Sequence, residues 1–437
     1  MLKESVDKDA RPSTRRLSFA DLFSGPGGLS LGFKMSGFFE PVAAVESNSK
    51  AAETYRTNLG VDVLERKVGE VDPAELLRRA TEKGYDAIDA VIGGPPCRPF
   101  TTANKGGTRW EKIRENNKGK NGDNEHPDWL SFWQIIEALN PQPRIIVAEN
   151  VMGFKNHDDV FSKFLNRLKE HYATCFRELH AYCFGVPQNR KRIFIVGIKD
   201  FADDPELILP INPQPESVKT VAVKDAISDL PELSNNSPGT QISTYGKGRP
   251  TRYESSLRGE CKVLHDHITH SVHPTMAERF THIPPGYSLR KAWAEGIVPK
   301  ASMHSYYFVG NIKKEFSKST LKNMHSNIYR RLGWKEASCT ITHVRKTVLI
   351  HPLQDRLISV REAARLQSFP DWFRFSGSAS QQYQQIADAV PPLLAQAIAD
   401  HLRRLLASNS LLADKTYTTI RHPLTLRPGE YLPSAKC

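Results

Sequence analysis

Leu17-Ser18-Phe19-Ala20-Asp21-Leu22-Phe23-Ser24-Gly25-Pro26-Gly27-Gly28 runs from an apolar stretch into a glycine-rich turn. The apolar part predicts a short strand from Leu17 to Phe23, and Leu29 to Gly37 carries a helical pattern. A strand, a tight turn and a helix in that order leave bare backbone amides pointing at whatever lies above the strand's end. The full G-x-G-x-x-G order is missing, so the turn alone says little. Val42 to Val45 predicts a second strand, and it ends on Glu46. An acid about 20 positions beyond such a turn is the group that accepts hydrogen bonds from ribose hydroxyls. Glu46 also reads as an acid favoured by the dipole of the helix that follows it. Turn and acid together point to a cofactor containing adenosine.

Working outward, a helix is expected over Ala51 to Asn58, a weak third strand over 61–72, a helix over 74–84 and a fourth strand over 87–92. Residues 104–126 are rich in Lys, Gly and Asn and read as a loop. Asp128 to Leu139 is an amphipathic helix, and Arg144 to Ala148 a strand ending on Glu149-Asn150. Strand and helix alternating in this way predict an α/β fold with a mostly parallel, doubly wound sheet.

The fourth strand runs into Gly93-Gly94-Pro95-Pro96-Cys97-Arg98-Pro99-Phe100-Thr101. Prolines on both sides of Cys97 fix the local backbone angles, and a strand end is where α/β sheets place reacting groups. From this peptide alone Cys97 is either a nucleophile or a buried structural thiol. A carboxylate at Glu149 would share its crevice. Further on, Gln188-Asn189-Arg190-Lys191-Arg192 precedes the strand Ile193 to Val196, and alternation puts Gln188, Arg190 and Arg192 on one face. Three donors on one side of an edge suit a polar site, although a basic surface run has the same look.

Composition sets the outer bounds. A chain of 437 residues with 39% hydrophobic content can bury substantial cores. It has no run of about 18 apolar residues that would span a membrane. The charged segment Met1 to Arg16 has no apolar signal region, so a cytoplasmic place is expected. Six cysteines without C-x-x-C spacing argue against zinc and against a disulfide scaffold, so no metal is expected. A net charge of +12 and a pI near 9.3 favour a polyanionic partner. From about 200 to 350 the helical rhythm fades. Within 311–346, nine Lys or Arg stand against two Glu, interleaved with Phe316, Tyr329 and Trp334, which suits contact with phosphate and base. From Ser359 the pattern returns to helix, over 359–368 and 381–407, with Pro391-Pro392 as an interruption.

These residues carry a resemblance. Asp21 to Gly28, Glu46, Gly94 to Thr101, Glu149-Asn150-Val151 and Gln188-x-Arg190-x-Arg192 resemble the ordered motifs of the cytosine carbon-5 DNA methyltransferases. Arg361-Glu362-Ala363-Ala364-Arg365-Leu366-Gln367-Ser368-Phe369-Pro370 and Gln385-Ile386-Ala387-Asp388-Ala389-Val390-Pro391-Pro392 match that family's two C-terminal motifs. The likeness covers about 17–200 and 355–405 in the family's order.

What the resemblance implies is specific. The fold would be a Rossmann-like sheet with a smaller, irregular target-recognition domain. Residues 1–16 would be a disordered leader, 17–200 the catalytic and cofactor domain and 201–355 the target-recognition domain. Residues 356–408 would be helices completing the catalytic domain, and 409–437 a tail. The cofactor would be S-adenosylmethionine, with Phe23 against the adenine, Gly25 and Gly27 under the methionine portion and Glu46 on the ribose. Glu70 would contact the adenine amine, and Pro96 would complete the cofactor's contacts. Cys97 would attack carbon-6 of a flipped-out cytosine as a thiolate. Glu149 would hold or protonate ring nitrogen 3, Arg192 would bind the carbonyl oxygen, and Arg190 would orient Glu149.

The partner would be double-stranded DNA, met by Gln188 and by Lys313, Lys314 and Lys318, with the enzyme a monomer on the nucleoid. A cognate restriction endonuclease is compatible with this, and a bacterial, archaeal or phage modification enzyme is expected. Three residues depart from the family's pattern: Arg98 for Gln, Thr101 for Ser, and Ala387-Asp388 for Gly-Asn, the last placing a charge where a neutral amide is usual. An RNA methyltransferase and a non-catalytic DNA-binding protein are the other readings. The insert of roughly 150 residues favours DNA over RNA, and the intact Cys97, Glu149 and Arg192 favour catalysis.

Overall fold

The computed structural model describes residues 16–96, 127–156, 158–213, 220–235, 237, 239–240, 242–246, 248–298 and 329–408. Its centre is a seven-stranded sheet. The strands are β1 (Leu17–Leu22), β2 (Phe39–Val45), β3 (Val63–Leu64), β4 (Ala90–Gly93), β5 (Ile145–Asn150), β6 (Ala173–His180) and, after the short β7 (Gln188–Asn189), β8 (Lys191–Ile198). Their order across the sheet is β3-β2-β1-β4-β5-β8-β6. β8 runs antiparallel to both neighbours, and the remaining pairings are parallel. The strand order reverses between β1 and β4, and crevices form beyond the strand ends at such a switch point.

β1 and β2 are buried along nearly their whole length, which is why they read as unbroken apolar runs. The helices α1 (Gly28–Met35), α2 (Ser49–Leu59), α3 (Pro73–Glu82), α4 (Pro127–Ala138) and α5 (Asp158–His171) cover the two faces. On one face Ala20, Leu22 and Val91 pack with Phe132, Trp133 and Phe164. On the other, Phe19, Phe33 and Phe39 pack against Leu394, Ala395 and Leu402 of the final helix, α8 (Pro392–Ser408). That helix returns from the far end of the chain to close the face over β1. Truncating a fully buried ring such as Phe33 costs about 3–5 kcal/mol.

The expected third strand, 61–72, is reduced to Val63–Leu64 and a single 3-10 turn at Val68–Glu70. Glu65, Arg66 and Lys67 are exposed between them, and three consecutive charged residues do not extend a buried strand. β8 is central rather than an edge, lying between β5 and β6.

The insert holds short helices, Val223–Ile227, Arg252–Arg258, Pro274–Thr281 and Leu289–Ala294, and paired strands of two residues. Its core is continuous with the rest: Leu264, Phe280 and Ile350 share one apolar cluster with Leu31, Ala44 and Tyr55 and, past residue 355, with Ile358. Packing therefore runs unbroken past residue 355. Beyond it come α6 (Val360–Leu366) and α7 (Ala379–Asp388).

α6 carries Arg361 and Arg365, both fully buried. Arg356 grips Glu362 with two bonds of 2.8 and 2.7 Å, and Arg365 reaches Asp371 at 2.9 and 2.7 Å and Asp229 as well. Burial opposes the charge on Glu362, but the attraction and hydrogen bonds of Arg356 win and hold its carboxyl well below the usual range. This motif is an internal ionic frame joining Asp229 of the insert to 356–371.

Candidate active site

The ends of four strands, β1, β2, β4 and β5, build the site. After β1 the chain turns with Phe23 and Gly25 both at positive φ, 59° and 54°. The Ser24 amide donates to the Val45 carbonyl at 3.0 Å, fastening the turn to the end of β2. Gly25 needs its missing side chain for the backbone angle, and the space a Cβ would enter is open to 4 Å. Gly28 needs it for a different reason: a Cβ there would come within 2.3 Å of the Val390 carbonyl oxygen. The segment just before α8 is thus pressed against the turn.

Glu46, one residue beyond β2, binds the turn directly. Its Oε2 accepts from the Gly25 amide at 2.9 Å and its Oε1 from the Asn48 amide at 2.7 Å. Burial pushes its carboxyl up, the backbone donors pull it down, and the like charge of Asp388 adds to the rise. Phe23 is half-buried beside the same cluster that holds Val68. Glu70 is exposed at the end of the 3-10 turn, its Oε2 3.4 Å from the Lys67 amide. Phe23, Gly25 and Glu46 thus meet where β1 and β2 end, while Gly27 is packed against Tyr55 and Leu59 of α2.

At the end of β4, Gly94 lies against the next strand's acid, since a Cβ on it would be 3.1 Å from Glu149 Oε2. Asn150 donates from Nδ2 to the Pro95 carbonyl at 3.0 Å, clamping the segment that carries Pro96. Cys97 follows immediately and lies outside the described residues, as do Lys313, Lys314 and Lys318. Asn150 stood in a motif but was given no role by sequence; the signal was its place beside Glu149.

Glu149 Oε1 is 2.9 Å from Nε of Arg192, and both side chains are largely buried. The pairing follows from register: Asn150 faces Ile193 across the antiparallel ladder, so Arg192 stands just past the end of β5. Burial pushes the Glu149 carboxyl up. Arg192 and then Arg190 oppose that, and Asp388 reinforces it.

One expectation is corrected here, that for Gln188, and Arg190 gains partners that the sequence does not show. Arg190 contributes charge near Glu149, but its Nη2 donates to the carbonyls of Ala387 and Ala389, both at 2.9 Å. Its Nη1 reaches the Ile341 carbonyl at 3.4 Å. The guanidinium that pairs with Glu149 is Arg192. Gln188 is fully buried, so it cannot touch DNA from this position. Its amide donates to Leu366 O at 3.2 Å and accepts from the Ile341 amide at 3.2 Å. The one-face alternation does hold, with Gln188 and Arg190 buried and Asn189 and Lys191 exposed. What Gln188 and Arg190 meet is backbone, brought by segments far away in sequence.

A further acid was missed by sequence reading. Asp21, inside β1, is buried beneath the first turn of α1, where Ser30 donates to it and Ser30 in turn meets the Tyr55 hydroxyl at 2.7 Å. Burial pushes its carboxyl up to about 8. An acid within an otherwise apolar strand was the available signal. Among the described residues no cluster of three His, Cys, Asp or Glu could hold a metal ion, and no helix is long and apolar enough to cross a membrane.

The family model described as C-5 cytosine-specific DNA methylase matches residues 17–404, from β1 to the last helix. The chain belongs to that family. This cytosine-5 methylase is 29% identical over 428 residues to the Type II methyltransferase M.DdeI of Desulfomicrobium norvegicum, covering 93% of each chain. It is 30% identical to M.AgeI of Thalassovita gelatinovora, over 88% of this chain and 98% of that one. Mouse DNA (cytosine-5)-methyltransferase 1 is 28% identical across 94% of this methylase but only 29% of its own length. Among solved structures, a DNA modification methyltransferase encoded within an Escherichia coli prophage superimposes with a TM-score of 0.65 at 25% identity. That match covers 90% of the methylase and 99% of the other chain. Family, relatives and fold agree that the enzyme is a DNA (cytosine-5)-methyltransferase.

Proposed function

We propose that this methylase modifies carbon-5 of a cytosine within a specific sequence of duplex DNA, using S-adenosylmethionine and a covalent link through Cys97. The observation that carries the reading is the Glu149–Arg192 pair, 2.9 Å apart, beside the clamped Gly94–Pro96 segment that leads into Cys97. A carboxyl and a guanidinium side by side match the ring nitrogen 3 and carbonyl oxygen of cytosine.

The residues fit the cofactor. The open space over Gly25, the amides at the start of α1, the acid Glu46 and the aromatic Phe23 offer the partners that a methionine group, a ribose and an adenine need. Pro96 and Glu70 lie on its rim in this reading. When bound, S-adenosylmethionine supplies an electrophilic methyl group.

The chain's residues then act as follows. Cys97 adds as thiolate to carbon-6, forming a carbon–sulfur bond and moving the ring's electron pair toward carbon-5. Glu149 holds the proton at nitrogen 3, and Arg192 binds the carbonyl oxygen, so charge moving into the ring is met by fixed partners. Once carbon-5 has bonded the methyl group, whose bond to the donor sulfur breaks, and has lost its proton to a base, the carbon–sulfur bond to Cys97 breaks and the thiolate returns. A free thiol is only a few per cent ionised at neutral pH, so positive charge nearby helps the first step.

Carbon-5 is reached by turning the base out of the duplex. Residues 201–355 serve target recognition in this reading, with Lys313, Lys314 and Lys318 gripping phosphate. The Type II names of M.DdeI and M.AgeI support a modification role alongside a restriction endonuclease. Incubating duplex DNA of mixed sequence with the enzyme and S-adenosylmethionine, then mapping modified bases, tests the reading. The expected product is 5-methylcytosine at one recurrent short sequence. Methyl groups on adenine, on exocyclic nitrogen or on RNA alone would overturn it.

A further inference from the structure

Pro391 and Pro392 stand between α7 and the body of α8, and neither has a backbone amide to donate. In a continuous helix the amide of residue 391 would meet the Ala387 carbonyl, and that of residue 393 the Ala389 carbonyl. Pro391 has none to give, and the Leu393 amide goes to Ser368 Oγ at 3.1 Å. Arg190 supplies the missing donor. Its Nη2 takes the carbonyls of Ala387 and Ala389, both at 2.9 Å. Arg190 is 1% exposed, so these bonds are made away from water, and a cation is favoured at the C-terminal end of a helix.

The segment held in this way is the one that touches the glycine turn. A Cβ on Gly28 would come within 2.3 Å of the Val390 carbonyl oxygen and 3.3 Å of the Ala389 methyl. One turn later, a Cβ on Gly32 would come within 2.4 Å of the Pro392 carbonyl oxygen. The first turns of α1 therefore lie directly on 389–392, and a shift of that segment moves them. On the other side, Arg192, two residues from Arg190, is the partner of Glu149 at 2.9 Å. Arg190 thus stands where the support of the turn meets the strand that serves the base.

We propose that Arg190 is a positioning residue for the cofactor: by fixing the Ala387 and Ala389 carbonyls it keeps Val390 against Gly28 and holds the start of α1 in place for the methionine portion. The inference rests on the cofactor reading above. It gives Arg190 a role separable from any effect of its charge on Glu149. The planar fork is what carries it, since a guanidinium reaches two carbonyls in one fixed geometry and a flexible ammonium does not.

Calorimetric titration of the full chain with S-adenosylmethionine, without DNA, is compared for wild type, Arg190→Met and Arg190→Lys, with melting temperatures as a check on folding. Rates at saturating cofactor are then followed against pH and against DNA concentration. The proposal expects both folded variants to bind the cofactor roughly tenfold more weakly, about the effect of one charged hydrogen bond. The KM for DNA should stay within about twofold of wild type, because a KM effect confined to one ligand marks a binding contribution to that ligand. Arg190→Lys keeps the charge, so its pH profile should be that of wild type. Should Arg190→Met fail to fold, Arg190→Lys decides on the same criteria. Cofactor affinity within about twofold of wild type in a folded variant, or a loss confined to kcat with a shifted pH profile, would overturn the proposal and leave Arg190 serving Glu149 alone. Full affinity in Arg190→Lys would overturn it too, since charge rather than the fork would then suffice. A wild-type enzyme that binds no S-adenosylmethionine would overturn the cofactor reading, and the proposal with it.

Discussion

Glu149 and Arg192 meet Oε1 to Nε at 2.9 Å across the antiparallel junction of β5 with β8. Because β8 runs against its neighbours, the start of that strand lies beside the end of β5, and a residue preceding its core reaches the crevice. Burial pushes the Glu149 carboxyl up and Arg192 is the largest influence holding it down. Replacing Arg192 with Met should therefore raise the Glu149 titration further, shifting the pH profile of methyl transfer upward. Glu149→Gln should lower the transfer rate by about 10²–10⁴-fold with the fold retained. A rate within a few-fold of wild type would remove Glu149 from the chemistry.

Glu46 joins the turn to the end of β2 through the Gly25 amide. Glu46→Gln should weaken S-adenosylmethionine binding about ten- to a hundredfold, the worth of a charged hydrogen bond of roughly 1.5–3 kcal/mol. DNA affinity without cofactor should change little. Comparable loss of both affinities, in paired titrations, would show that Glu46 only shapes the turn.

Asp21 makes stability depend on pH in an unusual direction. Its buried carboxyl titrates near 8 in the folded chain against an ordinary value of 3.8, so between these the folded state holds a proton that the unfolded state has released. Its contribution to stability is complete below the ordinary value and is lost as pH rises through the folded one. Denaturant unfolding at pH 6 and pH 8 should show Asp21→Asn losing less stability over that interval than wild type. Parallel losses in the two proteins would mean Asp21 does not carry the proton.

Arg365 is buried with Asp371 and Asp229 as its partners. Arg365→Met leaves those carboxylates without it in the core and should cost about 3–5 kcal/mol in equilibrium unfolding. A loss below about 1 kcal/mol would show that Arg361, 3.9 Å from Asp371, takes over the pairing.

Apart from β3, the parallel strands were legible because each is a buried apolar run that ends at a Gly-rich turn or an acid, as Ala90–Gly93 and Ile145–Asn150 show. β6 was not. It is an edge strand, half-buried, with Arg177 and Glu178 in its middle, so its pattern is mixed. The turn and Glu46 were readable as a pair because their spacing is local. The work of Gln188 and Arg190 was hidden, since their partners at Ile341, Leu366, Ala387 and Ala389 lie about 150 to 200 residues further along. A donor near a strand start looks the same in sequence whether it meets a ligand or a distant carbonyl.

The covalent role of Cys97 is the centre of the account, and trapping it is the most direct measurement. Duplex DNA with 5-fluorocytosine at the mapped target is incubated with S-adenosylmethionine and the full enzyme, and the products are resolved under denaturing conditions and sequenced by mass. Fluorine cannot leave carbon-5 as a proton does, so the account predicts a stable protein–DNA adduct at Cys97, and none with Cys97→Ser. An enzyme that methylates ordinary DNA yet forms no adduct, or a Cys97→Ser variant that still transfers methyl groups, would contradict it.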